Sequence, residues 1–137
     1  MNQTIPFEYT IPYRTLAPWF TAFPALPVTL IGPSGRDQAI AILDTGAGYC
    51  LFNGTRAGTL GLDLMEGCRI RLSTMGGEVA AYLHEIGMEI EGHSFQIEVA
   101  FSSGPVRREL LGRHTLFERT IWCIRESRQE IYFSPKP

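Results

Sequence analysis

The stretch Ala39–Tyr49 reads AIAILDTGAGY. An apolar run ends on one carboxylate, and the residues after it are too small to cover that carboxylate. Gln38–Leu43 is apolar on both faces, the pattern of a strand inside a core. Burial disfavours a charged carboxylate, so Asp44 at the end of such a strand needs donors, a partner or a proton. Thr45 can bond across a tight loop with its hydroxyl. Gly46 and Gly48 admit backbone conformations closed to other residues, and Ala47 keeps the loop narrow. The sequence has only three aspartates, and the other two read differently. Asp37 falls in a polar turn, and Asp63 follows a helical turn as a surface or capping residue. On its own, D-T-G reads first as an ordinary turn with a satisfied aspartate, ahead of a working carboxylate.

The rest of the chain narrows the classes. Its 137 residues suit a single domain over 1–137, with a Pro- and aromatic-rich arm over 1–25. Nearly half the residues are apolar, and the formal charge is −2 without a Lys/Arg block, which points away from nucleic acid and anionic membranes. No apolar run approaches the roughly 20 residues of a membrane span. Cys50, Cys68 and Cys123 lack CxxC spacing and read as reduced thiols. With an N-terminal segment unlike a signal peptide, they give the expectation of a cytoplasmic protein. The three histidines lack metal-ligand spacing, so neither metal nor cofactor is expected. Cys50 with His84 or His114 is the residue set of a Cys-His hydrolase. The commoner reading is a small core cysteine and locally bonded histidines.

Alternation then sets the fold class. Strands are expected near Ile5–Tyr13, at Val28–Ile31 and at Gln38–Leu43, with GPSGRD as the turn before the last. Cys68, Ile70 and Leu72 alternate with Arg69, Arg71 and Ser73, and Gly76-Gly77 marks a hairpin turn. A long return strand carries Tyr82, Ile86, Met88 and Ile90 on one face; EGHS turns it into Phe95–Phe101. Val106–Leu111 is a short strand, Arg113–Glu118 gives one or two helical turns, and Ile121–Ile124 with Glu130–Phe133 close as a hairpin. The class is all-β, a small closed barrel or sandwich, with one short α-helix near the C-terminus.

Three elements in this order, ILDTGAG, RLSTMGGEVAAYL and ELLGRHTLFERT, resemble the retropepsin-like aspartic proteases of the single-lobe, cellular type. The resemblance spans roughly Leu26–Phe133. It implies an acid-protease barrel and a homodimeric endopeptidase acting on polypeptides, with Asp44 from each subunit forming the catalytic dyad. It implies that Thr45 and Gly46 hold the two loops together. Ala47, Gly48 and Leu110 would line the cleft, and Met75, Gly76 and Gly77 would form the tip of a flap. Retroviral members carry acidic residues after DTGA that anchor the Gly-Arg arginine. Here Gly48 and Tyr49 stand there, leaving the partner of Arg113 open. A retropepsin-like domain used for binding or assembly, with weak catalysis, is the alternative.

Overall fold

The computed structural model describes residues 2–74 and 76–136. Its strands are β1 (Tyr9–Pro12), β2 (Arg14–Leu16), β3 (Thr21–Phe23), β4 (Ala25–Ile31), β5 (Arg36–Leu43), β6 (Leu51–Asn53), β7 (Cys68–Thr74), β8 (Gly77–Ile90), β9 (His93–Ser102), β10 (Leu110–Leu111), β11 (Ile121–Arg125) and β12 (Glu130–Ser134). One α-helix, α1 (Thr55–Leu60), joins them. The main sheet runs β4-β5-β10-β6-β9-β8-β7, and β4 also pairs with β8. That extra pairing closes the sheet into a barrel and leaves β7 as an appended strand. Closure removes the edges that an open sheet of this size would expose.

The alternating side chains fill the barrel. Leu26, Val28 and Leu30 of β4 meet Ile86, Met88 and Ile90 of β8 and Ile97, Val99 and Phe101 of β9 in one core. Each fully buried side chain of this size contributes about 1.5–3 kcal/mol. The turn between β8 and β9 places Glu91 at φ 49° and Gly92 at φ 80°. Positive φ at both central residues is the hairpin geometry whose twist matches the flanking strands.

Strand β5 departs from the two-face burial expected of it. Ala39, Ala41, Ile42 and Leu43 are buried, but Ile40 is 39% exposed. Ile40 shares with exposed Gln38 the face opposite the one that Ala39, Ala41 and Leu43 turn into the core, and β10 pairs in parallel with β5 only at Leu110↔Ile42 and Leu111↔Leu43. Only the last residues of β5, those leading to Asp44, have sheet on both sides.

The helical element also differs from expectation. Residues 113–116 form turns, and Phe117–Arg119 is a single turn of 3-10 helix. Thr115 sits at φ 62°, outside the α-helical region. Its hydroxyl holds it there, accepting from Glu98 N at 3.1 Å and donating to Glu98 O at 3.3 Å on β9. The α-helix instead lies at Thr55–Leu60, ended by Gly61 at φ 82° with its N–H on the Ala57 and Gly58 carbonyls. Asp63 does cap, accepting from Met65 N at 3.2 Å at the start of a 3-10 turn.

A second, three-stranded sheet runs β1-β12-β11. It is fastened to the barrel through the Phe133 ring, which stacks on Trp122 at 4.3 Å and lies 6.4 Å from Phe95. The Tyr9 hydroxyl bonds His93 Nε2 at 2.7 Å. The N-terminal segment therefore joins the body as β1. It then forms a β2–β3 hairpin, which the aromatic and proline content had not signalled. The Arg108 guanidinium lies over Trp19 at 4.7 Å and Phe23 at 5.1 Å, pinning that hairpin to the segment before β10.

Candidate functional site

Asp44 follows the last residue of β5, where β10 flanks the strand. The chain leaves β5, turns through Asp44–Tyr49 and enters β6, while β10 lies between these two strands. The loop therefore passes over the end of β10. The backbones lock where they cross: Asp44 N–H donates to Leu111 O at 3.0 Å, Arg113 N–H to Ala47 O at 3.0 Å, and His114 N–H to Gly48 O at 2.8 Å. Leu43 N–H donates to Pro24 O at 2.8 Å on the other flank. The loop tightens itself with Ala47 N–H on Asp44 O at 3.1 Å. Gly112 makes the crossing possible. A β-carbon there would lie 2.9 Å from the Ala47 carbonyl oxygen and closer still to that of Tyr49.

The Asp44 carboxylate is half-buried, and Gly46 N–H donates to its Oδ1 at 2.9 Å. Among the described residues it makes no other hydrogen bond or ion pair within the chain, so Oδ2 stays open to a partner. Gly46 and Gly48 serve by lack of bulk, since neither adopts positive φ. A β-carbon on Gly46 would come within 3.2 Å of Asp44 Oδ1, and the space above Gly48 is empty to 4 Å. Thr45 is exposed, and among the described residues its hydroxyl has no partner. The expected bond across its own loop does not form.

The other expected site residues fall on two elements. Leu110 on β10 packs in a half-buried apolar cluster with Tyr49, Ile70, Leu72, Leu83 and Val106 around buried Leu51, Ala81 and Ala100. Gly76 and Gly77 lie at the turn of the β7–β8 hairpin, where Gly77 has φ 112° and Thr74 Oγ1 donates to Gly77 O at 2.7 Å. Met75 lies outside the described residues. The cluster joins the base of this hairpin, through Ile70, Leu72 and Leu83, to the loop that carries Asp44. Tyr49, Val106, Ile70 and Leu72 were not read as site residues. The only signal for the last two was their shared parity on β7.

The place of the retroviral acidic residues is filled differently. Among the described residues no carboxylate is within ion-pair reach of Arg113. Backbone bonds from Arg113 and His114 hold the loop instead, and the Tyr49 ring lies 4.9 Å from that of His114. The His114 imidazole faces Glu98 at 3.0 Å and Glu118 at 3.4 Å. Gly48, Tyr49, Arg113, His114 and Glu118 together line an open groove.

The thiol reading does not hold. Cys50 is fully buried, burial pushes its thiol up to about 11, and Gly112 N–H donates to its sulfur at 3.4 Å. Such a group is protonated and inaccessible, unfit for a nucleophile. His84 bonds the Leu64 carbonyl at 2.8 Å. Among the described residues no group of three or more His, Cys, Asp or Glu side chains is placed to hold a metal ion.

Comparison of the whole arrangement with solved structures is decisive for the architecture. A retropepsin-like aspartic protease from Rickettsia conorii matches over 90% of this chain and 98% of its own, with TM-score 0.61 and 20% identity. The fold is retropepsin-like. The EIAV protease complexed with the inhibitor HBY-793 matches over 66% of this chain and 82% of its own, with TM-score 0.51 and 18% identity. No family sequence model and no curated protein sequence matches. Within the retropepsin-like fold, Asp44 occupies the crossing of loop and strand, and the β7–β8 hairpin extends from the barrel as its appended edge.

Proposed function

We propose that the chain is an aspartic endopeptidase that works as a homodimer, with Asp44 of each copy forming the catalytic dyad. The observation that carries this is the Asp44 carboxylate. A loop clamped on three sides by backbone bonds presents it, with one oxygen fixed by Gly46 N–H. Each chain offers one such carboxylate, and a two-fold axis supplies the second. Two carboxylates about 3 Å apart share one proton, because like charges that close cannot both ionise. The ionised member takes a proton from water, which attacks the scissile carbonyl carbon. The protonated member hydrogen-bonds the carbonyl oxygen and stabilises the tetrahedral intermediate. Collapse breaks the C–N bond as a proton passes to the leaving amine.

The neighbouring residues have matching roles in this reading. Thr45 and Gly46, exposed at the loop apex, meet the same residues of the second copy. The substrate lies extended, bonding main chain to main chain along Ala47 and Gly48. Its apolar side chains enter the cluster around Leu110. The β7–β8 hairpin, with Gly76 and Gly77 at its tip, covers the peptide and limits water at the reacting carbonyl.

A second reading, a binding or assembly domain with little catalysis, draws on Arg113, which lacks the acidic partner of the retroviral loops. Incubation with a mixed peptide library at pH 4–7, read by mass spectrometry, separates the two. Cleavage by the wild type that Asp44→Asn eliminates supports the peptidase. Cleavage retained in Asp44→Asn overturns the mechanism.

A further inference from the structure

The groove beside the Asp44 loop holds a cation without a counter-charge. Gly48, Tyr49, Arg113, His114 and Glu118 line it. Arg113 is exposed, and among the described residues no carboxylate lies within ion-pair reach of its guanidinium. Other arginines are committed: Arg56 to Asp37 and Glu109, Arg71 to Glu78, and Arg108 to the rings of Trp19 and Phe23. The acids nearest the groove are engaged as well. Glu118 Oε1 accepts from Thr115 N–H at 3.0 Å and faces His114 Nδ1, and Glu98 Oε1 faces His114 Nε2 at 3.0 Å. The root of Arg113 is fixed, since its N–H donates to Ala47 O at 3.0 Å and its carbonyl accepts from Glu118 N–H at 3.3 Å. A planar fork carried on a fixed root suits a carboxylate, which it can meet with two parallel bonds.

We propose that Arg113 is a specificity residue, binding the carboxylate of an acidic side chain in the polypeptide substrate. This rests on the peptidase reading above and narrows its substrate class to chains with Asp or Glu on one flank of the cut. Position ties the cation to a peptide. Arg113 bonds the Asp44 loop at Ala47, and His114 bonds it at Gly48, the two residues along which the substrate backbone lies in that reading. Tyr49 belongs both to the apolar cluster around Leu110 and to the groove, so the two surfaces share a wall. Gly48 adds no side chain to block the way, and the space above it is empty to 4 Å. A peptide extended along the loop therefore meets an apolar surface on one stretch and a cation on the next. An acidic side chain there gains the fork, a neutral one gains less, and a basic one meets like charge, so discrimination has an attractive and a repulsive part.

The test compares substrates that differ by one charge. The wild type is incubated with a proteome-derived peptide library, and the residues flanking each cut are read by mass spectrometry. Asp or Glu should be enriched at one flanking position. A cleaved peptide is then made with Glu or with Gln at that position. At pH 6 the Glu/Gln ratio of kcat/KM should be about three- to tenfold, the scale of a partly solvated bidentate pair. It should fall toward one in 1 M NaCl, where the Debye length is about 3 Å, and at pH 3.5, where the peptide's own carboxylate is largely protonated. Arg113→Gln should bring the ratio within about twofold of one, and Arg113→Glu should favour a Lys peptide over the Glu peptide. A ratio taken within each variant cancels any loss of folded or active protein. Cleavage without acidic enrichment, or a Glu/Gln ratio that survives Arg113→Gln, overturns this subsite and spares the peptidase reading. Affinity selection of the same library on Asp44→Asn protein covers the converse. Acidic peptides retained there and lost once Arg113→Gln is added, with no cleavage by the wild type, uphold the subsite and overturn the peptidase reading. Neither retention nor cleavage overturns both.

Discussion

Strand β5 carries a carboxylate near each end, and the fold treats them in opposite ways. Asp37, near its start, faces Arg56, whose Nη1 donates to Asp37 Oδ2 at 2.8 Å. The same guanidinium grips Glu109 with two bonds, Nε to Oε2 at 2.6 Å and Nη2 to Oε1 at 2.7 Å, and Asn53 N–H adds a third at 3.0 Å. The two carboxylates hold the Arg56 proton more firmly than usual. Asp44, at the far end, receives one backbone N–H and no cation among the described residues. Asp37 is committed to a cation, and Glu109, which takes three donors, has little capacity left for a further ligand. A carboxylate held by a single N–H keeps an oxygen for chemistry. The strand thus carries one ion-paired acid and, in the peptidase reading, one kept for catalysis, although the two residue types are identical.

The sharpest test of that contrast exchanges the acids for amides. Asp44→Asn should lower peptide cleavage by roughly 10³-fold or more, the scale of losing a general acid–base group. Thermal unfolding and oligomeric state should stay near wild type. Asp37→Asn should leave the rate per folded molecule within about twofold and lower stability instead. Equal loss of turnover in both variants would dissolve the distinction.

The support of the Asp44 loop can be broken next. Gly112→Ala places a β-carbon against the carbonyls of Tyr49 and Ala47. Forcing the crossed backbones apart should cost about 3–5 kcal/mol in urea unfolding, the upper range for a single substitution. Arg56→Met acts at the other end of β5. It strips the cation from two carboxylates whose side chains are 28% and 11% exposed, and should cost about 2–3 kcal/mol. Turnover per folded molecule should change far less than in Asp44→Asn, since the Arg56 side chain bonds Asp37, Gln38 and Glu109 and makes no bond to the Asp44 loop.

The smallest effect is a slope with pH. Burial raises the Cys50 thiol from its ordinary 9.0 to about 11. The folded chain therefore keeps that proton at a pH where the unfolded chain has lost it. Stability is fully present below about pH 9 and falls as pH rises toward 11, by at most ~1.4 kcal/mol per pH unit. Cys50→Ala should flatten this decline in denaturant titrations across that window. The Tyr13 phenol, raised to about 12 by burial and by its bond to Glu126, is common to both proteins and drops out of the difference.

Local patterns carried much of this into the sequence. The β8–β9 pair was legible because parity of Ile86, Met88 and Ile90 against Ile97, Val99 and Phe101 survives in a closed barrel. The loop over β10 was legible because its requirement for small residues is local to Asp44–Gly48 and Gly112. Pairings distant along the chain were not. Asp37, Arg56 and Glu109 share no motif, so Asp37 was read as part of a polar turn. The β2–β3 hairpin depends on Arg108 reaching Trp19 and Phe23, and its aromatics and prolines fit an extended arm equally well. The expected helix after Gly112 failed for the same reason, since the hydroxyl that bends Thr115 is answered from β9.

The pairing of β1 with β12 bears on how the chain folds as it is made. Tyr9–Pro12 is made well before Glu130–Ser134, yet its strand partner is Glu130–Ser134. Domains synthesised at about 5–20 residues per second can assemble local hairpins during translation, so β8 and β9 can close while β1 still waits. Strand β1 therefore waits unpaired until β12 has been made. A chain that stops before Glu130 should leave β1 without its strand partner, which makes hydrogen-exchange protection of β1 a marker that β12 has been made and docked.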